Sequence, residues 1–206
     1  MLFGFGRKQN DSIADFWAWF VRNSAAIERE TRGVSHDRGP SKLITSDLGQ
    51  ALERAHSGLV HEIGVHPDGC IELIISADGI KSAFAGVAAV VDAAPPLKGF
   101  RFTAYRPRST PTTALNMFGH DIGFEQVRYR SLQEGQRLGL DLFIDVEAED
   151  KHRDMMAFIL LDMALGEFDV ETGIGSVDVR AGAPADLKLL SELPAEFDAF
   201  RAQFAQ

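Results

Sequence analysis

The sequence predicts an α+β fold: a mainly antiparallel sheet built from two related β-β-α-β units, flanked by N- and C-terminal helices. Three observations predict it. A hairpin pattern followed by a helical stretch and a further strand occupies residues 59–105, and the same order returns in residues 124–181. The strands alternate apolar and polar residues with a period of two. Apolar stripes at helical spacing precede the first unit and follow the second.

In the first unit Leu59–His66 and Cys70–Ala77 flank a turn at Asp68-Gly69, and a helical stretch from Lys81 to Val91 leads to a strand from Gly99 to Tyr105. Ile71, Leu73, Ile75 and Ala77 share one strand face, while Ile74 interrupts the polar face, as a half-covered second face requires. In the second unit Gln126–Leu132 and Leu138–Val146 flank Glu134-Gly135, followed by a helical stretch from Asp150 to Leu165 and a strand near Ile174–Arg180. Leu138, Leu140, Leu142, Ile144 and Val146 fall on one face, opposite Asp141, Asp145 and Glu147. The matching order makes an internal duplication an expectation.

The N-terminal helices are expected within residues 12–56. In the first, Asp11 or Ser12 caps the start, and Ile13, Phe16, Trp17, Phe20, Val21 and Ile27 form the docking stripe, with Trp19 at its edge. Residues 31–42, with Gly39-Pro40, read as a loop, and Ser46 or Asp47 caps a second helix carrying Leu48, Ala51, Leu52 and Ala55. Residues 106–122 connect the two units, with a short strand near 114–118. Pro194 suits the first turn of a C-terminal helix over 193–204, clamped by Phe197, Phe200 and Phe204.

With 206 residues, 45% hydrophobic and 25% charged, the chain can build a core and reads as one α+β domain, 1–206. A net charge of −9 argues against broad nucleic-acid binding, which needs concentrated Lys and Arg. No apolar run approaches the ~20 residues that span a bilayer. The stretch Met1–Lys8 reads as a tail too short to anchor, so the expectation is a cytoplasmic protein without stable membrane association. The single Cys70 excludes an intramolecular disulfide and fits a reducing compartment.

Motifs that carry chemistry are sparse. His61-Glu62-Ile63-Gly64-Val65-His66 misses the zinc-protease pattern, because its histidines are five apart on a strand rather than four apart on a helix. His66 and Cys70 flank one turn but are only two of the four ligands a structural zinc needs. Lys98-Gly99-Phe100-Arg101-Phe102-Thr103-Ala104-Tyr105 approaches an RNA-recognition submotif, which requires Phe100 and Phe102 on an open face; a buried face is the alternative. Arg101, Arg106, Arg108, Arg128 and Arg130 could neighbour one another as a basic stripe for an anion, or be paired internally with Asp and Glu. Asp145, Glu147, Glu149 and Asp150, with His152, could hold a hard cation or simply complement the following helix dipole. No nucleophile elbow, phosphate loop or dinucleotide fingerprint appears, and no cofactor is implied.

Phe16-Trp17-Ala18-Trp19-Phe20, Ile74-Ile75-Ser76-Ala77-Asp78-Gly79 and Ala94-Pro95-Pro96-Leu97-Lys98-Gly99-Phe100, running into Ala104-Tyr105-Arg106-Pro107-Arg108, together resemble a family of uncharacterised bacterial proteins. Leu160–Glu167 extends the likeness into the second half. The resemblance implies bacterial origin and a compact fold and carries no activity or site.

The leading expectation is a non-catalytic binding or adaptor module for a protein or a small anionic ligand, with Trp19, Arg106, Arg108, Arg128 and Arg130 as contact residues. The alternative is a hydrolase or metal-dependent enzyme using Asp145, Glu147 and His152, and a third is an RNA binder centred on Phe100 and Phe102.

Overall fold

The computed structural model describes residues 3–35, 38–110 and 114–204, with side chains from residue 12 onward. The chain divides into two compact units, 1–105 and 106–206.

The first unit opens with α1 (Phe3–Arg32). The helix starts earlier than the sequence suggests, so neither Asp11 nor Ser12 caps it; the Ser12 hydroxyl instead donates to the Ala55 carbonyl at 3.1 Å. Most of the expected tail, from Phe3, belongs to this helix. Met1 and Leu2 lie outside the described residues. Ile13, Phe16, Trp17, Phe20 and Ile27 are buried as the stripe requires, but Val21 is exposed. Position 21 is turned by 100° from Phe20, which carries it past the rim of the buried face.

A single π-helical turn, Leu43–Asp47, runs directly into α2 (Leu48–Ala55). Asp47 therefore has helical geometry and no capping bond, against expectation. The wider turn buries Ile44 and leaves its carbonyl to accept a hydrogen bond from His61 Nε2 at 2.8 Å.

The sheet follows: β1 (Val60–Val65), β2 (Ile71–Ser76), a helical crossover through α3 (Phe84–Asp92), and β3 (Phe100–Ala104), in spatial order β1-β2-β3. The hairpin is antiparallel, and the crossover brings β3 back parallel to β2. Cross-strand register puts His61, Ile63 and Val65 on one face with Ile71, Leu73 and Ile75 and with Phe100, Phe102 and Ala104. On this face Trp17 meets Phe102 edge-on at 4.6 Å and Phe20 meets Phe100 and Phe102 at 5.5 and 5.4 Å. The Trp17 indole N–H donates to the Val90 carbonyl at 2.8 Å, tying α1 to α3.

The second unit begins with a small hairpin, β4 (Leu115–Met117) and β5 (His120–Ile122), joined by Phe118-Gly119 with positive φ at both residues, as a tight two-residue turn demands. Then come β6 (Val127–Glu134), β7 (Arg137–Ile144), α4 (Asp150–Leu165), α5 (Glu167–Gly173), β8 (Ile174–Ala181), β9 (Lys188–Leu189) and α6 (Leu193–Ala202). The order is β8-β7-β6-β9, with β7 and β8 parallel and the other pairs antiparallel. Thus in both units the hairpin's second strand takes the post-helix strand as a parallel neighbour.

The extra helix α5 was not expected. It follows from Gly166, whose φ of 80° and ψ of 148° end α4 and redirect the chain. Leu138, Leu140, Leu142 and Ile144 pack under Met156, Ala157, Leu160 and Leu161 of α4, and Phe197 and Phe200 of α6 join that core. Phe204 lies just beyond α6, is 37% exposed, and meets Phe200 edge-on at 5.2 Å.

Candidate functional site: two clefts on an open strand edge

In the first unit β1 is an edge strand. The His66 N–H donates to the Cys70 carbonyl, which fixes the ladder phase: residues 62 and 64 bond inward to β2, and His61, Ile63 and Val65 turn their backbone groups outward. Among the described residues no hydrogen bond reaches those outward N–H and C=O groups. An unpaired strand edge of this kind is a template for another strand.

A cleft lies on each side of this edge. The cleft of about 560 Å³ on the helix-covered face is lined by Thr31, Val34, Pro40, Ile44 and Thr45 and by His61, Ile63, Gly64 and Val65 of the strand. Its walls are mostly apolar, yet it contains an orphan: the Thr31 hydroxyl, in a residue only 6% exposed, has no hydrogen-bond partner among the described residues. The opposite cleft, of about 250 Å³, shares Ile63, Gly64 and Val65 and adds Glu62, Glu72, His66, Pro67 and Ile74. It carries two carboxylates, Glu62 and Glu72, among apolar residues, and Glu72 accepts a hydrogen bond from the Thr103 hydroxyl at 2.6 Å. Gly64 stands opposite Glu72, and a side chain at 64 would meet nothing within 4 Å, so the floor between the carboxylates is open. Ile74, the residue that interrupts the alternation of β2, forms the apolar part of this second cleft.

The hairpin tip is stiffened electrostatically. Asp68 accepts the Cys70 N–H at 2.9 Å, lies 3.0 Å from His66 Nδ1 and receives the Arg101 guanidinium at 2.6 Å. These contacts, the Cys70 N–H foremost, hold its carboxyl well below the usual carboxylate range. His66 and Cys70 are thus joined through backbone and Asp68.

The arginines singled out in the sequence have separate partners. Arg108 is the most committed: its guanidinium donates to Asp198 at 2.7 and 2.9 Å, to Asp169 at 2.6 Å and to the Leu165 carbonyl at 2.9 Å, 5.8 Å above the Phe197 ring. The Arg106 backbone is clasped by Glu167, whose carboxylate accepts the Arg106 N–H and whose own N–H donates to the Arg106 carbonyl, both at 3.0 Å. Arg130 donates to Asp141 at 2.6 Å, Arg180 reaches the same carboxylate at 3.1 Å, and Arg128 donates to the Leu187 carbonyl at 2.8 Å. Arg101 belongs to Asp68. Arg101, Arg108 and Arg130 thus pair with carboxylates within their own units, and Arg128 bonds a backbone carbonyl.

Trp19 lines a small recess of about 120 Å³ with Asp15, Ala51 and Arg54. Asp145 and Glu147 are exposed in the segment before α4, while His152 stacks on Phe118 at 4.3 Å. Among the described residues no three His, Cys, Asp or Glu side chains converge as metal ligands. Phe100 and Phe102 pack edge-on against Phe20 of α1 and are partly buried. Among the described residues no helix is long and apolar enough to cross a membrane.

No protein family matches the chain, and no curated protein or solved structure is significantly similar to it.

Sequence reasoning named none of the edge residues Ile63, Gly64 and Val65 as a contact surface. Their signal was the short β1 pattern with its glycine and exposed valine, and it acquires meaning only once β1 is known to be an edge.

Proposed function

We propose that this protein is a non-catalytic binding module that captures an extended peptide by adding it as a strand beside β1. The observation that supports this is the outward-facing backbone of His61, Ile63 and Val65 running between two clefts, of which one carries the carboxylates of Glu62 and Glu72. Side chains of an added strand alternate between the two faces of a sheet, so successive residues of the guest enter successive clefts. Val34, Pro40 and Ile44 favour an apolar residue with a small polar group able to satisfy Thr31, and Glu62 and Glu72 favour Lys or Arg. The partner is therefore a segment of alternating apolar and basic residues, and the net charge of −9 draws it in at long range.

The test is fluorescence anisotropy of labelled peptides titrated with the full chain: alternating Val-Lys, alternating Val-Glu, and a scrambled Val-Lys control. Saturable binding of the first alone is expected. Val65→Pro deletes one outward N–H and no ladder bond, and it abolishes binding while the far-ultraviolet circular dichroism is unchanged. Equal binding of the scrambled peptide, or full binding by Val65→Pro, overturns the proposal.

A further inference from the structure

Helix α4 is apolar on two sides. Its buried side is Met156, Ala157, Leu160, Leu161 and Ala164, packed on the second sheet. On the opposite side Met155, Phe158 and Ile159 are 50%, 45% and 41% exposed. A helix packed on one side has no structural need of three large apolar residues on the other, and such a cluster marks an interaction surface.

The charges on that side identify the occupant. Lys151, Met155, Phe158 and Asp162 follow one another at intervals of four, three and four residues, the spacing of a helix-packing seam. They span about 16 Å along the axis. A cation stands at one end, an anion at the other, and two large apolar residues between them. Laid antiparallel against itself, this stripe is self-complementary: Met155 meets Phe158 of the second copy, and Lys151 meets Asp162, at both ends at once. A two-fold interface requires that property, because each contact occurs twice. Lys151 pairs with Glu149 at 3.2 Å, and both side chains are about 70% exposed, so Lys151 loses little in exchanging that pair.

We propose that α4 is the contact face of a two-fold homodimer, with the two α4 helices antiparallel and centred between Met155 and Phe158. A contact this short buries less than the roughly 1,200 Å² of a permanent interface, which makes the dimer concentration-dependent. The proposal is independent of the peptide site on β1.

Sedimentation equilibrium of the full chain from low micromolar to near-millimolar concentration tests it. The weight-average mass is expected to rise from 22.6 kDa towards twice that value. Phe158→Glu, at an exposed position, abolishes the rise with unchanged circular dichroism. Lys151→Asp places like charges at both ends and weakens association, and Lys151→Asp combined with Asp162→Lys restores it. A monomer mass throughout, or a rise that Phe158→Glu does not affect, overturns the dimer. Should the Asp162 variant fold poorly, the Phe158→Glu comparison alone decides. A rise lost in Phe158→Glu but not restored by a folded double charge swap overturns the antiparallel register.

Discussion

Gly64 and Glu72 face each other across the β1–β2 ladder, so the outer surface of the edge strand is bare where a carboxylate projects beside it. A glycine at the strand's centre weakens the hairpin slightly and opens a floor that any side chain would fill. The basic side chain of an added strand can cross that floor and lie between Glu62 and Glu72.

Replacing both carboxylates, Glu62→Gln with Glu72→Gln, should weaken the alternating Val-Lys peptide roughly fivefold, since two partly exposed charge contacts are worth about 1 kcal/mol together. The salt dependence of binding should flatten as well. Anisotropy titrations at low and high salt measure both effects, and an unchanged affinity would remove the acidic cleft from recognition.

Arg108 ties the start of the second unit to α5 and α6 through Asp169 and Asp198. Arg108→Ala should cost about 2 kcal/mol, because charged hydrogen bonds to two carboxylates and a carbonyl disappear together. Arg108→Lys should recover only part, since an ammonium cannot make the forked contact to Asp198. Urea unfolding monitored by circular dichroism distinguishes the three proteins.

Glu196 fixes α6 to the sheet. Burial pushes its pKa up, but hydrogen bonds from Lys188 at 2.6 Å, from Ser131 and from the Tyr129 hydroxyl at 2.7 Å outweigh burial and hold it below the ordinary value of 4.5. A carboxylate with a depressed folded-state pKa contributes stability that is complete above the unfolded value and is lost as pH falls through the folded one. The protein should therefore lose stability as pH drops below about 4.5, and Glu196→Gln should be less stable at pH 7 with a flatter acid limb. Thermal melts from pH 7 to pH 3 measure this; parallel limbs would contradict it.

Gly166 combines a backbone conformation open almost only to glycine with close approach, its missing Cβ lying 3.1 Å from the Arg108 nitrogen and 3.2 Å from the Arg106 oxygen. Gly166→Ala should destabilise by about 1–3 kcal/mol from backbone strain, with additional cost from the displaced backbone. Equal urea midpoints for the two proteins would refute this.

Local chemistry determined much of this protein by itself. The alternation in Leu138–Ile144 and Ile71–Ala77, the 3.6-residue stripe of Ile13, Phe16, Trp17 and Phe20, and the turn residues Asp68-Gly69 specify hairpins and a docking helix, because each is a short-range property of side-chain direction. The α+β class and the flanking helices follow from these. The tertiary structure alone decided which charges were spent and which strand was left open. Arg108 finds Asp198 ninety residues away, and Asp141 takes Arg130 and Arg180 from two different strands. No spacing rule encodes such pairs, since they arise where separate elements meet. The pattern Val60–Val65 likewise reads the same for an edge strand as for a central one. Its outward amides and two clefts came into being only when β2 took its inner side and the end of α1 and the π turn stopped short of covering the other.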